Sequence, residues 1–334
     1  MLNKEMKSTI KGSLIALGAA LAIGSNAQDG QLSQYDAAPM VLNPALTGMF
    51  NEGDFRMTSN VRSQWNSLSN SFLTTSFGYD IAMKDRYGFG MYLTNYNMAG
   101  IMNTFQAGGA AAYNVLGSGA KATLSGGVSL GLIYKKINDQ QLVWDAQYSD
   151  GYFDTDLPSG ENFERGARLM PDVSIGIAYR SMNVNKRVNP FGNFALFHVN
   201  TPDESILRST SSDVPIRWSA NAGARIEVSQ DIYLVPMGLF WRQGADQMIH
   251  AGMIGEIGIP GSVYSGVAGV SYRLNDAIIA QVGLKHKSAM YRFSYDVNTS
   301  PLGKYTNKNG AYEFSVIYYG THSGRDRRVQ RKSF

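Results

Sequence analysis

The stretch Asp172-Val-Ser-Ile-Gly-Ile-Ala-Tyr-Arg180 alternates between large apolar residues and small or polar residues at every step. In a β-strand, residues two positions apart share a face, so Val173, Ile175, Ile177 and Tyr179 would form one apolar side. The other side carries only small and polar residues. The pattern therefore predicts a strand with one face toward apolar surroundings and the other toward polar surroundings.

The same period of two recurs along most of the chain. Residues 216–228 place Trp218 and Ile226 on an apolar face and Arg217 and Glu227 on the opposite one. Gly, Asn, Asp or Pro separates the alternating segments, as expected between strands. We predict fourteen strands, at about 54–64, 71–81, 87–96, 101–115, 121–135, 170–180, 190–199, 214–228, 230–241, 246–258, 263–273, 276–286, 289–297 and 310–319.

Three features favour a transmembrane barrel over a soluble β-sandwich. The strands have the ~9–11 residues that a tilted membrane strand needs. Aromatic residues lie toward strand ends, as in Tyr87, Phe89, Tyr92 and Tyr96, and resemble interfacial girdles. The long connections (136–169, 200–213 and 298–309) all follow odd-numbered strands. The sequence thus predicts an all-β fold, a transmembrane antiparallel β-barrel over 54–320, with tight periplasmic turns, long extracellular loops and both termini periplasmic.

Residues 1–27 are typical of a cleavable signal peptide. Lys4, Lys7 and Lys11 form a basic start, an apolar core runs over 13–23, and small residues at 25–27 end the segment. Its removal lowers the formal net charge from +4 to +2, because it holds three lysines and one glutamate. The chain has no cysteine, which excludes a lipid-anchored cysteine and a disulfide framework. We expect an exported protein located in the outer membrane.

The composition fits a chain between lipid and a polar lumen. Only 17% of the residues are charged, against about 25% in soluble domains, and there are 36 Gly and 19 Tyr. The nearly neutral body argues against nucleic-acid binding. A basic tail lies within 321–334, and it is interpreted either as a solvated end or as a periplasmic docking element. Its cationic residues are Arg325, Arg327, Arg328, Arg331 and Lys332.

The motifs of enzymes and metal sites are missing from the sequence. The four histidines, His198, His250, His286 and His322, have no second ligand at metal-binding spacing. His198 lies at the outer end of a predicted strand, but no G-x-S-x-G motif accompanies it, so a structural role is favoured. We expect no catalytic residue, no metal and no cofactor.

Residues 28–53 show neither helical nor strand periodicity and contain Pro39 and Pro44. Irregular backbone at membrane depth is tolerated only where protein buries it or where it lines water. We therefore expect a plug or rim segment that enters the lumen from the periplasmic mouth. The lumen-side charges either line a pore or form an ion-paired network with this plug, and we favour the network. They include Arg180, Arg217, Arg225 and Glu227.

Several motifs, in order along about 28–320, resemble the PorP/SprF family of type IX secretion outer-membrane proteins. They begin with S-Q-Y and L-N-P-A-x-T-G in the N-terminal segment, continue with R-x-Q-W after the first strand, and end in the last two strands. The motif residues singled out for the plug or for interactions are Gln34, Tyr35, Leu42, Asn43, Pro44, Gly48, Arg62, Gln64, Trp65, His198, Pro202, Tyr295, Asp296 and Glu313. These residues could instead fix only the plug and the barrel rim.

The resemblance implies a Bacteroidota outer-membrane protein of type IX secretion, a system connected with gliding motility. Its members either contact the periplasmic ring and lipoprotein of the core machine or help to secrete and retain one large adhesin through that client's C-terminal sorting domain. The sequence leaves both roles open. We expect residues 136–169, with Trp144 and Phe153, to face the exterior as the main client surface. The alternative function is a passive porin for small solutes.

Overall fold

The computed structural model describes residues 29–66, 70–84, 86–117, 120–138, 142, 145–149, 152–154, 156–158, 166–205 and 211–321. The predicted signal peptide, Trp144 and the cationic residues of the basic tail lie outside these ranges. In this part of the chain no helix has the length and apolar character needed to cross a membrane.

Fourteen antiparallel strands of the described chain form one closed barrel, which confirms the predicted fold class. Each strand pairs with its neighbours in sequence, and the last strand pairs with the first, with Phe55 opposite Gly320 and Gln64 opposite Ala311. The strands are β1 (Phe55–Gln64), β2 (Phe72–Met83), β3 (Tyr87–Met98), β4 (Met102–Asn114), β5 (Ala122–Ile137), β6 (Ala167–Ser181), β7 (Val188–Phe197), β8 (Arg217–Ser229), β9 (Ile232–Gln243), β10 (Asp246–Gly258), β11 (Tyr264–Arg273), β12 (Ala277–His286), β13 (Ala289–Asn298) and β14 (Asn309–Gly320).

The barrel has two distinct ends. The connections after β5, β7 and β13 are long and lie at one end, which we call the long-loop end. The even-numbered strands are followed by short connections, of which 115–121 is the longest, at the opposite short-turn end. This asymmetry was predicted. The connection after β5 also contains a small hairpin that the sequence did not predict, formed by Tyr148–Ser149 and Tyr152–Phe153.

The two faces of the barrel reverse the arrangement of a soluble protein. On β5 the apolar Leu124, Val128 and Leu130 are exposed on the outer face, whereas Ser125 and Ser129 are buried on the inner face. Because hydrocarbon is the natural environment of such an outer face, the alternation fits an outer-membrane barrel. It is the same alternation that the sequence displays.

Aromatic pairs mark both ends of the outer face. Tyr87 and Tyr113, with ring centroids 5.3 Å apart, lie toward the short-turn end. Tyr295 and Tyr312, 5.2 Å apart, lie toward the long-loop end. Tyr92 and Tyr96 were expected in such a girdle, and this was wrong. Both are buried in the lumen, because they are an odd number of residues from the outward-facing Tyr87 and Phe89.

Candidate functional site: a segment that crosses the lumen

Residues 29–54 form an irregular segment inside the barrel, which we call the lumen segment. It starts at the long-loop end, where Asp29 contacts His198 just after β7. It leaves at the short-turn end, where the Asp54 N–H donates to the Gly320 carbonyl at 2.7 Å. The segment therefore passes through the barrel from one end to the other.

Its local structure consists of short turns set by proline. Pro39 begins a four-residue helix, Pro39–Leu42, and Pro44 begins a 3-10 turn, Pro44–Leu46. Proline is favoured at a first helical position because its ring fixes φ and no N–H is left without a partner. The Asn43 side chain caps the second turn by accepting from the Ala45 N–H at 2.8 Å. The turns satisfy many backbone groups within the segment, and the N–H groups of Ser33, Gln34 and Gly48 are left to bind the barrel wall.

A buried charge cluster holds the upstream part of the segment. The two Glu313 carboxylate oxygens accept from the backbone N–H groups of Ser33, at 2.6 Å, and Gln34, at 3.1 Å. Beside it, Asp296 accepts from Arg62 at 2.9 Å and from Arg273 at 2.8 Å. These charged groups are almost fully buried. Charge-assisted hydrogen bonds of this kind are roughly twice as strong as neutral ones, so the cluster fixes the segment in position.

Tyr35 anchors the next part through an apolar contact. Its ring packs with Leu239, Trp241 and Met248 in a buried cluster, against which Leu42 also packs. The ring also meets His250 edge to face, with centroids 5.1 Å apart. The ring contacts therefore hold this part of the segment against β9 and β10.

Asn43 attaches the middle of the segment directly to the barrel wall. Its amide nitrogen donates to the carbonyl oxygens of Ile177, at 3.1 Å, and Phe194, at 3.0 Å, on the paired strands β6 and β7. Gly176 makes this approach possible, because a Cβ there would lie 2.0 Å from the Asn43 side-chain oxygen. The absence of a side chain at Gly176 therefore leaves the space that the short Asn43 amide occupies.

Near the short-turn end an arginine–aspartate pair holds the segment. Arg56 binds Asp80 with two hydrogen bonds, at 3.0 and 2.6 Å, and also donates to the Leu46 carbonyl at 3.0 Å. Asp80 in turn accepts from the Gly48 N–H at 2.6 Å. Gly48 has φ of +68°, and a Cβ there would lie 2.4 Å from the Gly88 Cα. Both the backbone conformation and the space require glycine.

At the long-loop end a histidine lies between two carboxylates. The ring nitrogens of His198 are each 2.8 Å from an oxygen, one on Asp29 and one on Asp172. Arg217 also binds Asp29, at 2.8 Å. Burial disfavours the charged ring, but Asp29 and Asp172 together raise the pKa of His198 to about 9. Burial likewise opposes ionisation of Asp29, yet His198 and Arg217 hold the pKa of that carboxyl below its usual range.

The structure brings many of the predicted site residues together along the lumen segment. They are Gln34, Tyr35, Leu42, Asn43, Pro44 and Gly48 on the segment and Arg62, His198, Asp296 and Glu313 on the wall. Arg217, predicted in an ion-paired plug network, does bind the segment. The functional roles assigned to all these residues remain predictions.

Four of the predicted site residues lie away from the contacts between the lumen segment and the barrel wall. Tyr295 faces outward and donates to Asn309, Trp65 packs on Phe72, and Pro202 is buried in the connection 198–216. Gln64 is half-buried at the end of β1. Strand alternation directs Tyr295 outward, and a chain turn follows β1 at Trp65, whereas Gln64 lies on the inward side of β1 but at its very end.

The sequence reasoning missed several anchors, chiefly Ser33, Arg56, Asp80, Asp172 and Arg273. Arg56 and Asp80 were recognisable as charges on the polar faces of β1 and β2. Their pairing follows from the register, which places them opposite each other. Ser33 has no such signal, since its partners Asp296 and Glu313 lie more than 250 residues away.

One expectation about the course of the chain was wrong. We expected the segment to enter from the periplasmic mouth, the end at which the chain leaves β14; the periplasmic location of the termini themselves falls on residues outside the described ranges and stays a prediction. Asp29, the first described residue, instead lies at the long-loop end, whereas Thr321, the last, follows β14 at the short-turn end. The reason is that the segment finds binding partners along the whole lumen and so extends across it.

In the described part of the chain, no three His, Asp or Glu residues are grouped so as to hold a metal ion. The polar groups of the site bind the segment to the wall. The arrangement holds the segment across the lumen, with exposed loops at one end.

Comparisons with known proteins agree with the motifs. Residues 24–318 match the family model described as "Type IX secretion system membrane protein PorP/SprF". No curated protein sequence matches the chain significantly. Among solved structures, the CymD monoaromatic hydrocarbon channel is 11% identical with a TM-score of 0.51, covering 86% of this chain and 93% of the channel. The TodX deltaS2S3 mutant monoaromatic hydrocarbon channel is 9% identical with a TM-score of 0.50, covering 84% and 92%. These likenesses show the barrel fold alone.

Proposed function

This chain belongs to the PorP/SprF family of type IX secretion system membrane proteins, and from that premise we propose that it is a sealed outer-membrane barrel serving a secreted partner. It supports the secretion and surface anchoring of an adhesin-type client with a C-terminal sorting domain. The observation that carries this proposal is the lumen segment, which crosses the barrel and is bound to the wall along its length. The surfaces that bind partner proteins are then at the two ends of the barrel.

The contacts of the segment argue against a lumen that opens readily. Ser33, Gln34, Asn43 and Thr47 are each at most 6% exposed, and the first three donate to wall acceptors. Withdrawing the segment would leave Asp296, Glu313 and their arginines without these partners. Leaving buried charged groups without hydrogen-bond partners costs about 1–3 kcal/mol each, or more. A protein whose main task was solute flow would not gain from such a seal.

The long-loop end is the better candidate for client binding. Tyr152 and Tyr305, in the connections after β5 and β13, are 79% and 74% exposed. Exposed tyrosines are common anchors of protein interfaces, since they bury a large rigid ring and offer a hydroxyl. We propose that these loops face the cell exterior and contact the client, while the short-turn end faces the periplasmic ring and lipoprotein. This gives the chain no catalytic role and no cofactor.

A secretion assay tests the client role. In the native bacterium, we expect Tyr152→Ser with Tyr305→Ser to lower the amount of client retained on the cell surface several-fold while barrel assembly stays unchanged. Val184→Ser is the matched control, because Val184 is an apolar residue, 67% exposed, in a turn at the opposite end. Equal client retention in all three strains would contradict the assignment of this end.

Conductance separates this proposal from the alternative, a passive porin. In planar bilayers we expect the purified wild-type barrel to be electrically silent. A variant lacking residues 31–48 should either conduct or fail to support client secretion. Steady wild-type conductance would favour the porin. A silent deletion variant that folds and still supports secretion would overturn the role given to the lumen segment.

The sequence and structure leave two roles within the secretion system. A member dedicated to one adhesin is expected to be encoded beside that adhesin, and a core member beside the ring components. Co-purification adds a biochemical test, because a dedicated member should be captured with its client even when the ring is dissociated.

A further inference from the structure

A cavity of about 190 Å³ lies between the lumen segment and the wall, toward the short-turn end. Most of its walls are apolar, contributed by the segment and by inward-facing residues of five strands. These are Leu42, Val235, Ile254, Val267, Met290 and Ile317. An apolar cavity of about 150 Å³ is large enough to bind benzene. This cavity therefore has room for a small organic molecule of about six to nine heavy atoms.

One charged group in the wall of this cavity is incompletely paired. The side chain of Arg292 is 1% exposed, and its Nη1 donates to Asp36 at 2.8 Å. Its Nε and Nη2 have no hydrogen-bond partner among the described residues. Leaving buried donors unsatisfied costs about 1–3 kcal/mol each, and more for a charged group. The buried guanidinium thus has one edge satisfied, while the other edge is buried without a partner in the wall of the cavity.

The free edge has a specific chemistry. The Nε and Nη2 of a guanidinium point in parallel, and a carboxylate can accept from both with its two oxygens. The lining of the cavity contains the charged residues Arg56, Arg180, Arg292, Asp36 and Glu256, of which Arg56 is already neutralised by Asp80. Both carboxylates already have cationic partners, Arg292 for Asp36 and Lys285 for Glu256. An anion is therefore favoured over a cation or a second guanidinium.

From these observations we propose that the cavity binds a small monocarboxylate with an apolar tail. The carboxylate forms paired hydrogen bonds with the Nε and Nη2 of Arg292, and the tail packs against Val267, Ile254 and Ile317. Inorganic phosphate lacks a group that would fill the apolar walls. This site is separate from the proposed client surface, because it lies at the opposite half of the barrel.

The test uses hexanoate, which has eight heavy atoms, and its neutral analogue hexanamide. Ligand-observed NMR titrations are performed on the full protein in phosphatidylcholine nanodiscs, with empty nanodiscs as the reference for lipid partitioning. We expect saturable binding of hexanoate, and at least tenfold weaker binding of hexanamide. Absence of saturable hexanoate binding to the wild-type protein, or equal affinity for the two ligands, would overturn the proposal.

Three variants locate the site. Arg292→Met should weaken hexanoate binding at least tenfold and remove the preference over hexanamide. Val267→Phe fills the cavity and should abolish the binding of both ligands. Val270→Phe is the control, because Val270 lies on the same strand but is 55% exposed on the outer face. If Arg292→Met does not fold, the comparison of Val267→Phe with Val270→Phe still tests the site. Equal affinities of these two variants for hexanoate would mean that hexanoate binds outside the cavity.

Discussion

The two ends of the lumen segment are held by different chemistry. At the short-turn end, Arg56 and Asp80 form a buried, doubly hydrogen-bonded pair that also binds the segment backbone. At the long-loop end, Asp29 is held by Arg217 and by His198, whose charge depends on pH. The difference teaches that the attachment through Arg56 and Asp80 is insensitive to pH, whereas the attachment through His198 stays charged at physiological pH and weakens only as the pH approaches 9. We expect the segment to loosen first at the long-loop end when the pH is raised.

The largest expected effect comes from breaking the attachment through Arg56 and Asp80. Asp80→Ala leaves Arg56 buried without a carboxylate and the Gly48 N–H without its acceptor. We expect the free energy of unfolding, measured by urea denaturation in lipid vesicles, to fall by about 3–5 kcal/mol. Asp231→Ala is the control, since Asp231 is exposed in a turn at the same end, and its effect should stay within about 0.5 kcal/mol. Similar losses in both would mean that the pair does not hold the segment.

A smaller effect is expected from a substitution that disturbs the packing of this attachment and leaves its charged groups intact. Gly48→Ala introduces a Cβ in a left-handed conformation and against Gly88, so we expect a loss of about 2–4 kcal/mol. Gly261 has a similar φ of +71° but open space around it, and Gly261→Ala should cost only about 1–2 kcal/mol. The difference between the two variants measures the packing of the segment on the wall. Equal losses of stability in the two variants would mean that backbone strain alone accounts for the effect and that packing on the wall contributes nothing.

The smallest expected effect concerns pH at the long-loop end. Because the folded-state pKa of His198 is about 9, above the free value of 6.5, its contribution is complete below about pH 6.5 and is lost as pH rises through 9. The linkage gives roughly 3 kcal/mol for this shift, but Asp172 shares the interaction and Arg217 keeps holding Asp29, so we expect the attachment of residues 29–33 to weaken by about 1 kcal/mol between pH 6 and pH 10. Limited proteolysis of the long-loop end should report it as faster cleavage near Asp29.

His198→Gln provides the control for this pH dependence. It keeps a hydrogen-bonding side chain but cannot titrate, so cleavage near Asp29 should no longer change with pH. A pH response that persists in this variant would assign it to another group. The Arg56–Asp80 attachment should show no such response in either protein, because its arginine stays charged over this range.

The fold could be predicted from the sequence, but the path of the lumen segment could not. Alternation fixes which residues face outward, because the side-chain period of a strand is exactly two residues. The same rule, applied to Tyr92 and Tyr96, would have placed them in the lumen. The direction of the segment depends on partners such as Glu313 for Ser33, which are distant in sequence and meet only when the barrel closes. No local pattern encodes such a pairing.

The position of these partners also sets an order of events during folding. Asp296 and Glu313 lie on β13 and β14, the last two strands to be synthesised, and β14 also forms the closing seam with β1. The contacts of Ser33 and Gln34 with these two carboxylates therefore cannot form until the final hairpin is in place. Pairings this far apart in sequence form slowly, because a large loop must close first. The segment is enclosed by the last step of assembly, and a chain truncated before β13 would have neither a closed wall nor the carboxylates that capture the segment.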